Sequence, residues 1–464
     1  MFLQPTNKLA TLLAIVALTL VATILFLRET SAVSPVDIPR VLPEVRINVP
    51  RSERFPSKEQ RVKLYMSNWY TPPCQGYTPG LVSFAMDEEL EDETMWPKYS
   101  ITEMADLVNA SEVEVASSVK PDTAFALDRN TILDCNIRGE GDPKYANRIE
   151  FRSNMYMYCL DVATTLLPAM EHVQWEMQTN VTTPKLPPVV LQFGDLKYSH
   201  DIGFVRIPHI KKFRIAAPPE DVEKVTAPTC VNTPRESLIP DHALQPIIWK
   251  LATRRHYGFL DAVILKDMPW EKKKNAAIFR GQLTGSRDGY DKHLPDMENC
   301  LNLRRCRLVY NHANSELVNA RLTDTRGRLP DVLNGVALTT SSVTIRHLLR
   351  YKGIVMLEGN DVASGLKWAL LSESVVLMPI PKHTSWAMEE LLRPWVHYVP
   401  ITEDATDLEE KMEWIVSHDK EARRISYAAT LWMQDLVYHP DAAEDDRWIQ
   451  EETLRRYNSH FVQK

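Results

Sequence analysis

The sequence lacks the short motifs that identify several large enzyme classes. It contains no GxxxxGK[ST] and no GxGxxG, which argues against a P-loop nucleotide hydrolase and an ordinary dinucleotide enzyme. HExxH, GxSxG and paired CxxC are missing too, which argues against a zinc protease, a serine hydrolase and a zinc ribbon. No Asp-x-Asp follows an apolar strand, so a metal-bridged diphosphate would lack its usual ligands. Internal repeats and low-complexity tracts are also absent.

An excess of positive charge is missing as well. The 464 residues include 54 Lys and Arg against 61 Asp and Glu, which gives a net charge of -7. This balance provides no general attraction for nucleic acid or anionic lipid, so we expect no nucleic-acid partner. Any affinity for an anion must come from a local group of residues.

Long apolar runs are rare, with one exception near the N-terminus. Residues 9–27 form 19 consecutive residues without a charge, about the length that a helix needs to cross a bilayer. We interpret residues 1–8 as a short tail and 9–27 as a transmembrane signal anchor. The alternative is a cleavable signal peptide, whose apolar core is usually only about 7–15 residues.

Two further features favour the lumen of the secretory pathway. Asn109 and Asn180 begin glycosylation sequons, and six cysteines are an even number that is compatible with disulfides. Cys300 and Cys306 are close enough in sequence to close a small loop, or else they are two reduced buried thiols. With the anchor, these features predict a single-pass type II membrane protein of the Golgi or endoplasmic reticulum, with its folded part in the lumen.

The rest of the chain has an alternating α/β pattern. Residues 28–57 are rich in proline and charge and are interpreted as a stalk. Short apolar runs of strand length then break at glycine or proline, at Pro187–Phe193, Ala276–Phe279, Gly353–Leu357 and Val375–Met378. Such runs, alternating with helices, are typical of parallel sheets covered on both faces. We predict two Rossmann-like lobes with a cleft between them, residues 58–245 and residues 246–464, the second ending in helices.

Two strand ends carry candidate ligand-binding residues. Ligands of parallel sheets lie beyond the carboxyl ends of the strands, near helix N-termini that favour anions. Gly359 follows one strand and lets the backbone approach a ligand, Asp361 can cap a helix over Val362–Leu371, and Lys367 adds a cation. The alternative is a well-capped helix with a solvent-facing lysine. The matching loop Arg280–Arg287 offers two glycines, two hydroxyls and two guanidinium groups suited to phosphate oxygens.

Three long segments carry a resemblance to a known family. PWEKKKNAAIFRGQLTG (Pro269–Gly285), YKGIVMLEGNDVASGLKWALLSESVVLMP (Tyr351–Pro379) and WAMEELLRPWVHYVPI (Trp386–Ile401) occur in order. Together they resemble glycosyltransferase family 90, which includes protein O-glucosyltransferases and O-xylosyltransferases, fungal capsule enzymes and bacterial lipopolysaccharide-modifying enzymes. Their residue pattern is most similar to the bacterial branch of the family, and the similarity covers roughly Leu186–Ser426.

The resemblance implies a GT-B fold with a UDP-sugar between the lobes. It also implies inverting transfer without an obligatory metal, with no cofactor, and with the UDP-sugar as a co-substrate. The donor-binding residues that it suggests are Arg280, Gly281, Ser286, Arg287, Glu358, Gly359, Asn360, Asp361, Lys367 and Glu389. One departure matters, because Gly365 stands where eukaryotic protein glucosyltransferases often carry an arginine.

Inverting transfer needs a base that takes the proton of the acceptor hydroxyl. Asp195, just after the predicted strand, stands where family members carry a catalytic aspartate, with Asp201 in the same loop as the substitute. The alternative for Asp195 is a residue that caps a turn. Trp368 and Trp386 belong to the core or stack on a sugar, and His397 is expected in the core.

The sequence therefore predicts a membrane-anchored glycosyltransferase that moves a sugar, glucose or xylose, from a UDP-sugar to a hydroxyl of a glycan or protein. A second hypothesis is a catalytically silent UDP-sugar-binding or scaffold protein. A Rossmann-like oxidoreductase is a more distant third, since its glycine fingerprint is missing.

Overall fold

The structure is a computed structural model, and it describes residues 51–52, 55–70, 124–127, 132–134, 148–150, 156–178, 186, 189–194, 208–216, 246–285 and 289–459. In these ranges no helix is both long enough and apolar enough to cross a membrane. The predicted anchor 9–27 and both sequons lie outside the described residues, as does the stalk up to residue 50.

The N-terminal half contains short strands and a long helical segment. Its elements are α1 (Lys58–Met66), β1 (Ala124–Leu127), β2 (Ile132–Asp134), β3 (Arg148–Glu150), α2 (Tyr156–Asp161), α3 (Leu167–Gln178), β4 (Val189–Gln192), β5 (Ile210–Lys211), β6 (Phe213–Ile215) and β7 (Ile247–Ile248). A capping box starts α1: the Gln60 amide donates to Ser57 Oγ, and the Ser57 amide donates to Gln60 Oε1.

One predicted helix runs further than expected. The residue pattern of Phe151–Met170 predicts a helix that ends at Met170. In the structure, α2 continues through a π-helical turn at Val162–Leu166 into α3, which ends at Gln178. Val162, Leu166, Met170 and Val173 are all buried. Because they recur every three or four residues, the apolar face persists beyond the predicted end and keeps the segment helical.

The C-terminal half is a regular α/β unit. Its elements are α4 (Thr253–His256), α5 (Leu260–Lys266), β8 (Lys274–Gln282), α6 (Asp296–Asn302), α7 (Arg304–Asn311), β9 (Val318–Asp324), β10 (Val332–Leu333), β11 (Val336–Ala337), α8 (Ile345–Leu348), β12 (Tyr351–Val355), α9 (Leu366–Leu371), β13 (Val375–Met378), β14 (His383–Ser385), β15 (Val399–Pro400), α10 (Leu408–Ser417), α11 (Asp419–Met433) and α12 (Ala442–Asn458).

A parallel five-stranded sheet organises this half. Its strand order is β9-β8-β12-β13-β15, and every neighbouring pair is parallel. Along β8, Ala276 and Ile278 pack into one buried cluster, and Ala277 and Phe279 into another on the opposite face. The predicted parallel strands covered on both faces are confirmed here. Counted along the chain, this is the doubly wound order 2-1-3-4-5, whose switch point lies between β8 and β12.

The N-terminal sheet is smaller, with the order β1-β4-β5-β7. Strands β4, β5 and β7 run parallel to one another, and β1 is antiparallel to β4. Strand β4 falls inside the predicted run Pro187–Phe193 and is fully buried. The α/β class is confirmed, and the GT-B arrangement of two lobes, divided at 245/246, stays a prediction.

The two halves share a ladder and an ion pair. Strand β6 pairs antiparallel with β14. The Arg214 guanidinium on β6 donates to both carboxylate oxygens of Glu390, at 2.9 and 2.5 Å, and both side chains are buried. Helix α12 packs on α1 and α3. The C-terminal helices therefore return to the N-terminal half.

Two tryptophans, one histidine and one disulfide contribute to the packing of the fold. Trp368 and Trp386 are both buried, and the Trp386 ring stacks on Tyr65 with the ring centres 4.2 Å apart. His397 is buried and accepts a hydrogen bond from the Arg393 amide at 2.9 Å, which confirms its expected place in the core. Cys300 and Cys306 form a disulfide.

Candidate functional site

The loops after β8 and β12 meet at the switch point of the sheet. The Gly285 amide donates to Asn360 Oδ1 at 3.0 Å. A Cβ on Gly285 would lie 3.0 Å from the Gly359 carbonyl oxygen, and a Cβ on Gly359 would lie 2.4 Å from Thr284 Oγ1. We call residues 282–285 and 357–361 the strand-end junction. Both glycines are needed there, because a side chain on either would push the two loops apart.

Arg305 on α7 joins the two loops and was missed by the sequence reasoning. Its guanidinium donates to the Gln282 carbonyl at 2.8 Å and to the Leu357 carbonyl at 2.6 Å. The first carbonyl ends β8, and the second lies two residues after β12. Burial, with the charge of Arg304 next to it, lowers the pKa of Arg305 to about 10. The sequence does contain three arginines around Cys306, which could have indicated a functional cluster. The same pattern is also found on ordinary solvent-exposed helices, so it did not single out Arg305.

Glu358 ties the junction to the segment after β13. Its carboxylate accepts hydrogen bonds from the amides of Lys382 and His383, each at 3.0 Å. It also lies 2.8 Å from Nδ1 of His383. Glu358 therefore already has three protein partners, and it links β12 to the start of β14.

Asp361 has a different role from the predicted cap. Helix α9 begins at Leu366, with Gly365 at the N-cap position and no side-chain cap, so the predicted start at Val362 is wrong. The Asp361 carboxylate instead pairs with Lys212 Nζ at 2.5 Å, and both side chains are buried. Val362 is buried too, so the chain enters the core before it turns into the helix.

Lys367 and Glu389, both predicted as donor-binding residues, form an ion pair with each other. Lys367 Nζ lies 2.5 Å from Glu389 Oε1, and both side chains are almost completely buried. Glu389 also accepts hydrogen bonds from the amide of Ser385 at 2.7 Å and from its hydroxyl at 2.8 Å. The alternative of a solvent-facing lysine is wrong. A donor-binding role for either residue stays a prediction.

The side chains of Arg280 and Arg305 lie on opposite faces of β8. Its guanidinium donates to the Asn319 carbonyl and to Asn319 Oδ1, both at 2.8 Å. The neighbouring Gly281 faces Arg305: a Cβ on Gly281 would lie 3.3 Å from the Arg305 guanidinium. Burial lowers the pKa of Arg280, with a further contribution from the charge of Arg321 on β9. Its Nε atom is buried and has no hydrogen-bond partner among the described residues.

A recess opens beside the junction at the ends of β12 and β13. It is small and partly continuous with solvent. Its walls are formed by Arg304, Met356, Glu358, Val362, Ala363, Leu366, Met378, Pro379, Ile380, Pro381 and Glu389. The recess therefore lies where ligands of parallel α/β sheets bind, beyond the carboxyl ends of the strands.

His256 at the end of α4 is a second residue that the sequence reasoning missed. It is buried, and its Nδ1 has no hydrogen-bond partner among the described residues. Burial lowers its pKa well below the ordinary value, and the charges of Lys367 and Lys212 add to this effect. The imidazole is therefore neutral at pH 7. Nothing in the sequence distinguished this histidine from an exposed one.

Other predicted residues lie outside the described part of the chain. These are Asp195, its substitute Asp201, Ser286 and Arg287. The preceding strand β4 ends at Gln192, and Gly194 has a φ of 94°, in the region that favours glycine. The described residues contain no group of three His, Cys, Asp or Glu side chains arranged to hold a metal ion.

Comparison with known proteins finds a family match for this region. Residues 260–440 match Glycosyl transferase family 90. O-glucosyltransferase LpsA of Dichelobacter nodosus is 35% identical over 117 residues, which are 25% of this chain and 36% of that protein. Protein O-glucosyltransferase 2 of Danio rerio is 28% identical over 216 residues, 45% of this chain and 39% of that protein.

A viral protein is also similar. Uncharacterized protein 179R of Invertebrate iridescent virus 6 is 30% identical over 186 residues, 36% of this chain and 16% of that protein. The chain thus spans less than half the length of each of these curated relatives. The stretch that carries the strand-end junction matches glycosyl transferase family 90, and the resemblance predicted from its motifs is confirmed over residues 260–440.

Proposed function

We propose that the protein is a glycosyltransferase that moves a sugar from a UDP-sugar to a hydroxyl group of a glycan or protein. One observation carries this proposal: two glycine-containing loops touch at the switch point of a doubly wound sheet, within the segment that matches the family. Glycines at such a point let the backbone amides approach a pyrophosphate closely.

Positive charge for the diphosphate comes from few residues. Arg287 follows the first loop, and backbone amides at the junction supply further donors. Arg280 precedes this loop, but its guanidinium lies on the other face of β8, where Asn319 accepts two of its hydrogen bonds. Lys367 contributes less free charge, since Glu389 already pairs with it. Asn360 and Glu358 hold the second loop in place through their contacts with Gly285 and His383.

In the proposed reaction the acceptor hydroxyl attacks the anomeric carbon of the donor sugar while UDP leaves from the opposite face. Asp195 takes the proton of that hydroxyl, so the configuration at the anomeric carbon inverts. The charge that develops on the leaving diphosphate is neutralised by guanidinium groups and amides, without an obligatory metal. Glucose is the first donor sugar to test, because two of the relatives are named O-glucosyltransferases. Xylose is the second.

The decisive experiment measures UDP release by the purified full-length protein with a panel of UDP-sugars and hydroxyl acceptors. We expect turnover with one donor, unchanged in the presence of a chelator. Asp195→Asn should abolish turnover and leave the affinity for UDP near the wild-type value, since the carboxylate acts on the acceptor. Wild-type turnover by this variant would remove Asp195 from the mechanism.

A catalytically silent UDP-sugar-binding or scaffold protein is the second candidate. The internal pairing of Lys367 favours it, because a lysine held by Glu389 is less available to the leaving group. The same experiment separates the two functions: UDP binding detected by calorimetry without any UDP release supports the silent protein.

We also propose that the protein is a single-pass type II membrane protein of the Golgi or endoplasmic reticulum, anchored by residues 9–27. Glycans on Asn109 and Asn180 in the lumen are expected. Removal of N-glycans by an endoglycosidase should then increase the electrophoretic mobility, and an unchanged mobility would count against a luminal position.

A further inference from the structure

Arg305 is the only described side chain with hydrogen bonds to the carbonyls of both Gln282 and Leu357. Gln282 is the last residue of β8, and Leu357 lies two residues after the end of the neighbouring parallel strand β12. A guanidinium presents donors in a fixed planar fork, so one group can hold two acceptors at a set separation. Arg305 therefore fixes the spacing between the two strand ends.

The space around this guanidinium is closed on the side of the two glycines. A Cβ on Gly281 would lie 3.3 Å from the Arg305 guanidinium, and a Cβ on Gly359 would lie 3.1 Å from it. The arginine and the glycines thus fit against each other. A change in the position of the guanidinium must move at least one of the two loops.

Helix α7 gives Arg305 a rigid base. The disulfide between Cys300 and Cys306 joins α6 to α7 at the residue next to Arg305. Arg307 on the same helix makes an exposed hydrogen bond to the Leu301 carbonyl at 3.0 Å, away from the two loops. The Nε atom of Arg305 is buried without a hydrogen-bond partner among the described residues, so the group keeps one unused donor in the junction.

We propose that Arg305 is a positioning residue that sets the distance between the two loops that receive the pyrophosphate of the nucleotide donor. This inference rests on the proposed function for the identity of the ligand. The positioning itself rests on the two carbonyl contacts and the two glycine contacts. Arg305 acts through the backbone of the two loops, because it holds the Gln282 and Leu357 carbonyls at a fixed separation.

The test compares full-length wild-type protein with Arg305→Lys, Arg305→Ala and the matched control Arg307→Lys. Arg305→Lys keeps the charge and loses the fork, whereas Arg307→Lys makes the same change on the same helix away from the junction. Two quantities are measured: the Kd for UDP, by calorimetry, and amide hydrogen exchange of peptides covering residues 282–285 and 357–361.

We expect Arg305→Lys to raise the Kd for UDP about tenfold to a hundredfold. Exchange should become faster in both loops together and stay unchanged in β13. Methylguanidinium added to Arg305→Ala should restore part of the UDP affinity, since it can occupy the vacated space and bridge the same carbonyls. Arg307→Lys should match the wild type in both measurements.

The outcomes separate the inference from the proposed function. Wild-type exchange and UDP affinity in Arg305→Lys overturn the inference and leave the proposed function standing. Equal losses in Arg305→Lys and Arg307→Lys overturn it too, because the effect would then come from α7 as a whole. A wild-type protein without UDP affinity refutes the proposed function and the ligand named here, while the exchange data still decide whether Arg305 positions the loops.

Discussion

Substitution of Gly359 by alanine tests the strand-end junction most directly. The new Cβ would lie 2.4 Å from Thr284 Oγ1, 3.2 Å from Thr284 Cβ and 3.1 Å from the Arg305 guanidinium. The threonine hydroxyl can rotate away, but its Cβ and the guanidinium must also shift. Overpacking of this kind costs about 1–3 kcal/mol.

We expect two effects of Gly359→Ala. The free energy of unfolding in urea should fall by that amount. The Kd for UDP should rise by roughly a factor of ten, since each 1.4 kcal/mol of binding energy corresponds to a tenfold change. Both effects arise because the loops after β8 and β12 move apart.

The partner variant Thr284→Ala provides the control. It removes the atom in the closest contact, so the double variant should recover part of the loss, with a coupling energy of about 0.5–3 kcal/mol. Wild-type stability and UDP affinity in Gly359→Ala would refute the close contact between the loops. Strict additivity in the double-mutant cycle would show that Thr284 is not the group that Gly359 accommodates.

Three further changes test other parts of the structure. Arg214→Ala should destabilise the protein by about 3–5 kcal/mol in urea unfolding, because it leaves the Glu390 carboxylate buried without its charge partner; a loss below about 1 kcal/mol, typical of an exposed pair, would contradict this burial. The lowered pKa of His256 means that the unfolded state binds a proton more readily, so stability is lost as the pH falls below 6.5. The unfolding free energy of His256→Gln should therefore depend less steeply on pH below that value, and an unchanged slope would show that this histidine is not the group responsible. Replacement of both Cys300 and Cys306 by alanine should lower the free energy of unfolding by about 2 kcal/mol, because the disulfide closes only a short loop in the unfolded chain. Thermal unfolding of the oxidised wild type and of the variant measures this loss.

The strands of the C-terminal half were predictable because their signals are local. Strand β13 coincides with the predicted run Val375–Met378, and β12 and β8 contain or overlap theirs. A short apolar run that ends at glycine or proline leaves few alternatives to a buried strand. The positions of Gly359 and Asn360 opposite the loop after β8 then follow, because the ends of adjacent parallel strands share one edge.

The partners of the charged residues were not predictable in the same way. Asp361 looked like a helix cap because caps are local patterns, but its carboxylate pairs with Lys212, far earlier in the chain. Arg305 and His256 lie in short helices whose sequences resemble solvated ones. Only the tertiary arrangement brings Arg305 to two strand-end carbonyls and surrounds His256 with cations.

The ladder between β6 and β14 limits how the protein can be divided. A chain shortened to residues 246–464 would retain every strand of the larger sheet but lose the partner of β14. The bare edge of that strand would offer unpaired amides and carbonyls to other copies, a common route to aggregation. The carboxylates of Asp361 and Glu390 would lose their counter-charges at the same time. We therefore expect that the C-terminal half cannot be produced as an independent soluble fragment, although it contains the whole matched segment 260–440.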